Sequence, residues 1–378
     1  MALFICSLVV LLLAALPVAM FLANLPRFRP ATSEPAWLEQ AAGEDIAVLI
    51  PARNEATGIG LALDHLLAGS LTSVRVYVLD DQSEDDTAAV VRQRMAGTSR
   101  LRLVEGVEMP AGWNGKQHAC WQLANAARAH DWLLFLDADV RVTPDAVQRI
   151  VAEALRTRAR LLSGFPHQET GSFAEKLLIP LMHFLLLGYL PIQRMRGSTD
   201  PSLAAGCGQM MLAHRETYFT VGGHRAIQAS RHDGLLLPRA FRRAGQPTDI
   251  FDASDIATCR MYHDRRQVVQ GLLKNATEGI AQPPLIWIFT VLLLGAAVLP
   301  SLGWLMAWQA GQTRSTLAVL TLAVSFSFLP RMLAAIRFRQ SWLGVALHPW
   351  AVLWFLGLQW RARWQQARGY VIPWRGRS

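Results

Sequence analysis

The chain has 378 residues, with 37 Lys and Arg against 28 Asp and Glu, for a formal net charge of +9. Hydrophobic residues make up 52% and mean hydropathy is +0.22, too apolar for a wholly soluble protein. No nucleic-acid recognition motif or basic-aromatic module accompanies the positive charge, and the four cysteines, Cys6, Cys120, Cys207 and Cys259, form no CxxC pair, which excludes a disulfide frame or a cysteine zinc site.

Residues 2–25 carry no charge and exceed the roughly 20 residues needed to cross a bilayer. The n-region lacks a positive charge and the apolar run is too long for a signal peptide, so an uncleaved anchor over 1–25 is expected. A polar linker, 26–44, follows. Then IAVLI (46–50) reads as a buried strand stopped by Pro51, and GIGLALDHLLAGS (58–70) as a helix. VRVYVLDD (74–81) is a second strand ending in acids. SEDDTAAVVRQRMAG (83–97) is a helix with a serine cap and acids in its first turn. LRLVEG (101–106) is a third strand and GKQHACWQLANAARAH (115–130) a helix. WLLFLDADV (132–140) is a fourth strand ending in two carboxylates. TPDAVQRIVAEALRT (143–157) opens on Thr-Pro, a good helix start.

Strands alternating with helices predict a mostly parallel sheet in an α/β domain, with ligands beyond the C-terminal strand ends. Each acidic cluster of this region falls at such an end. Asp137 and Asp139, at i and i+2, have the spacing to converge on one hard divalent cation. Loop 51–55 (PARNE) carries Arg53 and Glu55. Asp80 and Asp81 end the second strand, where a helix-capping role for Asp81 is the plainer reading. Lys116 closes GWNGK (112–116), a glycine-rich turn that would bring an ammonium toward phosphate, unless it is a surface lysine.

The order PARNE, VLDDQSEDDT, FLDADV resembles the family-2 inverting glycosyltransferases of GT-A fold, over about 45–275. The resemblance implies that Pro51, Ala52, Glu55 and Asp81, with Asp80 close by, hold the nucleotide of a nucleotide-sugar donor, a UDP-sugar being favoured. It implies that Asp137 and Asp139 bind manganese or magnesium with the diphosphate, Asp139 more directly. In AAGCGQMMLAHRETYFTVGGH (204–224), Gly206, Gly208, Gly222 and Gly223 would let backbone pass close to the sugar. ASRHDGLLLPRAFRRAG (229–245) carries His232-Asp233 where the family usually has two acids, so the catalytic base is carried to Asp233 and the role of His232 is left open. Arg260, or Arg265 and Arg266, would help to neutralise the leaving diphosphate. Q-x-x-R-W is missing, which argues against a polysaccharide synthase and for transfer of a single sugar. PAGWNGKQHAC, RMYHDRRQVVQGLLKNA and the closing PWRGRS look like hopene-associated and carotenoid-type members, which implies a lipid acceptor. The rival readings are a polyprenyl-phosphate sugar synthase and a non-catalytic GT-A-like scaffold.

The expected organisation is an anchor, the linker, a cytoplasmic catalytic domain over 45–280, a membrane region of two to three hydrophobic segments over 281–360, and a basic tail over 361–378. Within the catalytic domain, 173–192 is apolar but broken by Pro180 and Pro191, and an interfacial segment is expected there, with a buried core helix as the rival reading. A bacterial-type inner membrane is the expected location, with no nucleic-acid partner.

Overall fold

The computed structural model describes residues 2–69, 71 and 73–369; the closing PWRGRS lies outside them. In chain order the helices and strands are α1 (Ala2–Asn24), α2 (Pro35–Ala42), β1 (Ile46–Ala52), α3 (Ile59–Leu67), β2 (Arg75–Asp80), α4 (Thr87–Met95), β3 (Leu101–Glu105), α5 (Gly115–Ala126), β4 (Trp132–Leu136), β5 (Val140–Val142) and α6 (Ala146–Thr157). Then come β6 (Leu161–Gln168), α7 (Phe173–Leu178), α8 (Leu181–Tyr189), α9 (Ile192–Arg196), β7 (Met210–His214), α10 (Arg215–Val221), α11 (Asp233–Arg243) and β8 (Thr248–Cys259). The chain closes with α12 (Arg265–Ala276), α13 (Leu285–Leu293), α14 (Leu299–Gln309), α15 (Arg314–Arg337), α16 (Trp342–Ala346) and α17 (His348–Ala367).

The described chain groups into two units. One holds residues 28–169 and 194–261, the other 2–27, 170–193 and 262–369.

The first unit is built on an eight-stranded sheet of order β3-β2-β1-β4-β7-β6-β8-β5. The strands β3, β2, β1 and β4 are parallel, β7 runs antiparallel to both β4 and β6, and β6 and β8 are parallel. Helices cover both faces, so β1 and β4 are continuous apolar runs rather than alternating ones. Val48, Val76, Leu134 and Leu212 pack with Leu63 of α3 and Ile150 of α6 on one face. Leu49, Leu79, Phe135 and Met211 pack with Leu123 of α5 and Phe241 of α11 on the other.

Register then places the chemistry. Ala52 lies opposite Asp80 and Leu49 opposite Phe135, so β1, β2 and β4 end along one edge. Leu136 pairs with Met210 in antiparallel sense, which sets the start of β7 beside the end of β4. Val140 pairs with Cys259, so the far end of β8 comes beside Asp139.

In the second unit, α1, the α13–α14 pair (285–309) and α15 are the three helices among the described residues that are long and apolar enough to cross a membrane. The α13–α14 pair widens for one turn at Leu294–Val298, just before Pro300, whose ring and missing N–H disfavour a regular turn. Outward-facing side chains of these helices include Leu12, Val291, Leu302 and Leu322, as lipid contact requires. Residues 173–192 fold here mainly as α7 and α8, with Leu181, Phe184 and Leu187 buried. Asn24 closes α8 by donating to Leu187 O (2.8 Å) and Leu190 O (2.6 Å) and by accepting from Ile192 N (3.2 Å). α17 carries Arg361 and Arg363 in its last two turns, and is not among the three.

Candidate active site

At the end of β1, Pro51 and Ala52 are the last strand residues, and the loop beyond is locked to the loop after β2. Arg53 is buried and donates to Asp81 O (2.6 Å) and Gln82 O (3.1 Å). Asn54 Oδ1 accepts from Glu84 N (2.9 Å), while its own N–H donates to Ser83 Oγ (3.0 Å). Glu55 N donates to Thr87 Oγ1 (2.8 Å). Asp81 is buried and its N–H donates to Ala52 O (2.8 Å). The side chain of Asp80 accepts from Ser83 N at 3.4 Å. Five of the sequence-selected residues, Pro51, Ala52, Glu55, Asp80 and Asp81, therefore belong to one interlocked pair of loops. Arg53 was noted in the sequence only as a loop residue, and its clamping of the Asp81 backbone cannot be read from spacing.

Lys116 lies in the first turn of α5, where a cation opposes the helix dipole. Asn114 caps that turn, its side chain accepting from Lys116 N at 3.1 Å. What holds the ammonium is acid from two distant segments. Its Nζ lies 2.7 Å from Asp137 Oδ1 and 3.0 Å from Asp233 Oδ2, and it donates to Gly208 O at 3.1 Å. Burial acts to lower the Lys116 pKa, but the two carboxylates outweigh it and hold it well above the usual lysine range. The surface-lysine reading is thereby excluded.

Asp233 opens α11 and is buried. Burial acts to raise its pKa, yet the Lys116 ammonium overrides this and keeps the carboxyl below its ordinary value, hence ionised. A Cβ on Gly208 would fall 2.1 Å from Asp233 Oδ1, and one on Gly234 would fall 2.7 Å from Gly206 O. These glycines let the segment before β7 meet the start of α11, Gly208 lying against the Asp233 carboxylate and Gly206 against Gly234 and Pro238. Gly208→Ala is expected to displace the carboxylate and lower kcat by about 100-fold, with the circular dichroism spectrum retained; a steady-state assay beside a melting curve checks this.

Asp139 is different. Burial first, then the charges of Asp137 and Glu55, raise its pKa to about 7. Its Oδ1 is enclosed and accepts no hydrogen bond. The Cys259 thiol lies beside this carboxyl, and Gln209 Nε2 donates to Cys259 Sγ at 2.8 Å. Gln209 and Cys259 were not selected from sequence. Only the pairing of β5 with β8 brings position 259 to 139. His224, in the Gly-Gly turn, is also buried and bonds the Tyr218 hydroxyl through Nδ1 at 2.8 Å. Burial lowers its pKa to about 3, so it adds no positive charge beside Asp233. In the other unit, Arg265 lies over the Trp354 ring, 5.4 Å from its centroid.

Residues 47–219 match the family model for glycosyl transferase family 2. The chain carries a family 2 glycosyltransferase domain. The 4,4'-diaponeurosporenoate glycosyltransferase of Staphylococcus aureus (strain USA300) is 28% identical over 343 residues, covering 88% of each chain. This agrees with the carotenoid-type resemblance of the PAGWNGKQHAC stretch. Among solved structures, a mannosyltransferase from Pyrobaculum calidifontis in complex with GDP-Man and Mn2+ superposes with a TM-score of 0.51. That match covers 94% of this chain and 99% of the other, at 17% identity, and shows a shared fold. The GT-A fold expected from sequence is the fold observed, and the protein is a glycosyltransferase.

Proposed function

We propose that this glycosyltransferase moves a single sugar, with inversion, from a nucleoside-diphosphate sugar to a membrane lipid of polyprenoid type. The observation that carries this is the meeting of Asp137 and Asp233 on the Lys116 ammonium, with Asp139 close enough to Asp137 to feel its charge, in a chain whose described residues include three helices able to cross a bilayer. The carotenoid glycosyltransferase relative supports the lipid acceptor.

The roles follow from geometry. The loops after β1 and β2, with Pro51, Ala52, Glu55, Asp80 and Asp81, seat the nucleotide. Asp233 accepts the acceptor proton as general base. While Lys116 sits 3.0 Å from Asp233, that carboxylate is a weak base. A donor diphosphate competes for the same ammonium, and its arrival raises the basicity of Asp233 as Lys116 turns to phosphate.

The enclosed, unpartnered Oδ1 of Asp139 beside Asp137 fits a divalent cation, manganese or magnesium. Held there by Asp139 and Asp137, it would neutralise charge on the departing diphosphate. Because Asp139 binds a proton near pH 7, cation binding must displace that proton at lower pH. Affinity for Mn2+ in the presence of UDP is expected to weaken below about pH 7, by up to about tenfold per unit. Calorimetry at pH 6 and pH 8 reads this directly, and a flat profile would take Asp139 out of the ligand set.

The charge pattern supports a cytoplasmic site. With three crossings, the catalytic unit and the C-terminal arginines share one side. Arg27, Arg29, Arg337, Arg339, Arg361 and Arg363 then face the cytoplasm, against Arg314 alone at the 310–314 turn opposite them, in accord with the positive-inside rule.

The test is titration of UDP, GDP and their sugars into detergent- or nanodisc-held protein with Mn2+, then with EDTA, followed by mass spectrometry of extracted lipid. A cation-dependent nucleotide-sugar site and a lipid gaining one hexose mass are expected. Sugar transfer only to soluble acceptors would overturn the lipid reading.

A further inference from the structure

Arg331 lies in α15, six residues before its end at Arg337, or about 9 Å along the axis at 1.5 Å per residue. It is wholly buried. Its Nη1 donates to Pro180 O (2.7 Å) and to Gln340 Oε1 (3.3 Å), but Nε and Nη2 meet no acceptor among the described residues. Among the described residues no carboxylate acts on this charge. His348, at the start of α17, feels the Arg331 charge and is also wholly buried, with neither ring nitrogen bonded. Its ring packs against Phe184 (4.9 Å) and Phe328 (6.2 Å). Beside them Gln340 bonds the His183 ring at 3.1 Å. Gly344 keeps backbone against the guanidinium, since a Cβ there would fall 2.9 Å from Nη2 and 2.4 Å from Lys176 O.

A buried guanidinium with three of its five N–H donors idle and no counter-ion among the described residues is costly. Inside membrane helices such a residue marks a ligand position rather than a packing element. The fork of Nε and Nη2 matches two oxygens of a carboxylate or phosphate, and a neighbouring imidazole can donate a further hydrogen bond. The outer faces of this unit are apolar, with Leu322, Ile336 and Trp350 exposed, so an anion arriving there comes attached to hydrocarbon.

We propose that Arg331 and His348 form a binding site for the anionic end, carboxylate or phosphate, of a membrane lipid. Where that lipid is the acceptor, the site deepens the function proposed above and rests on it; where it is a phospholipid, the site stands alone.

The full chain in phosphatidylcholine nanodiscs is titrated with oleate, oleyl phosphate and oleyl alcohol, and retention is read by native mass spectrometry. At least one of the two anions is expected to bind about tenfold or more tightly than the alcohol. Arg331→Gln is expected to remove that preference and Arg331→Lys to retain part of it. His348→Phe, whose ring suits the Phe184 and Phe328 neighbours, is expected to reduce it while keeping the wild-type melting temperature. Equal retention of all three probes by the wild type, or an undiminished preference in Arg331→Gln, overturns the proposal. If Arg331→Gln does not fold, an unchanged preference in His348→Phe overturns it instead. Nanodiscs doped with phosphatidylglycerol separate the sources: competition with the bound anion assigns the site to a phospholipid headgroup, and none assigns it to an acid-bearing acceptor. UDP titration in parallel reports the donor site separately, so failure of one reading is not mistaken for failure of the other.

Discussion

Asp233→Asn is expected to lower kcat by about 10²- to 10⁴-fold, the range of general-base contributions, with no rise in KM for the nucleotide-sugar. The amide is isosteric, and little else fits where Gly208 lies against the side chain. The Gly234 N–H that now donates to Asp233 Oδ1 at 2.8 Å can still donate to the amide oxygen. What disappears is the capacity to take a proton and one of the two negative charges on Lys116. The freed ammonium is more available to phosphate, so UDP affinity should hold or rise while turnover collapses. That split separates loss of a base from general damage. A radiolabelled-sugar assay beside UDP calorimetry reads both quantities, and a kcat within threefold of wild type would show that another group takes the proton.

Asp139→Asn is expected to weaken cation-dependent UDP binding by at least about 100-fold, since loss of even a second-sphere partner costs metal sites about 10- to 100-fold. It is also expected to stabilise the cation-free protein. The folded-state pKa of Asp139 is raised from 3.8 to about 7, so its ionised form is disfavoured by the fold. The resulting destabilisation grows as pH rises from about 4 to about 7 and is complete above that. A neutral amide avoids it. Melting in EDTA at pH 8 should therefore occur at higher temperature for the variant, and the two proteins should converge near pH 4. A variant that melts lower at pH 8 while still binding Mn2+ and UDP normally would contradict both halves of the argument. Greater stability bought with lost activity is the pattern expected of a functional site.

The first half of the catalytic unit was legible because its strands are buried parallel runs, each ended by an acid or a proline. IAVLI, VRVYVLDD, LRLVEG and WLLFL became β1 to β4 with small shifts at their ends. The second half was not. β8 spans 12 residues, TDIFDASDIATC, and holds three aspartates. Asp249 is buried against Arg196 Nε at 2.8 Å, and Asp252 accepts from Ser254 N at 3.0 Å. Polar groups with partners of their own, near or distant, break the apolar pattern on which strand recognition depends. The candidate site divides the same way. Asp137, Asp139 and Asp233 could be selected by residue type and order, but the joining of 116, 137 and 233 through one ammonium depends on β7 turning back beside β4. The cluster around Arg331 was hidden for a related reason. In sequence it is one more arginine near a membrane segment, and only helix packing shows that no acid reaches it.

The interleaving of the two units sets the order in which the molecule can be completed during synthesis. The ribosome delivers α1 first, α7 and α8 midway, and α12 to α17 last. All eight strands have emerged by residue 259, before any of the helices from α12 onward exist. The sheet can therefore close when α8 has met α1 but not α15, and while α7 still awaits α12, α16 and α17. A chain cut after residue 261 would hold all eight strands of the sheet and still carry an apolar insert stripped of α12, α15, α16 and α17. Trimming the two ends cannot free a soluble enzyme from this protein. Residues 170–193 would have to be replaced as well.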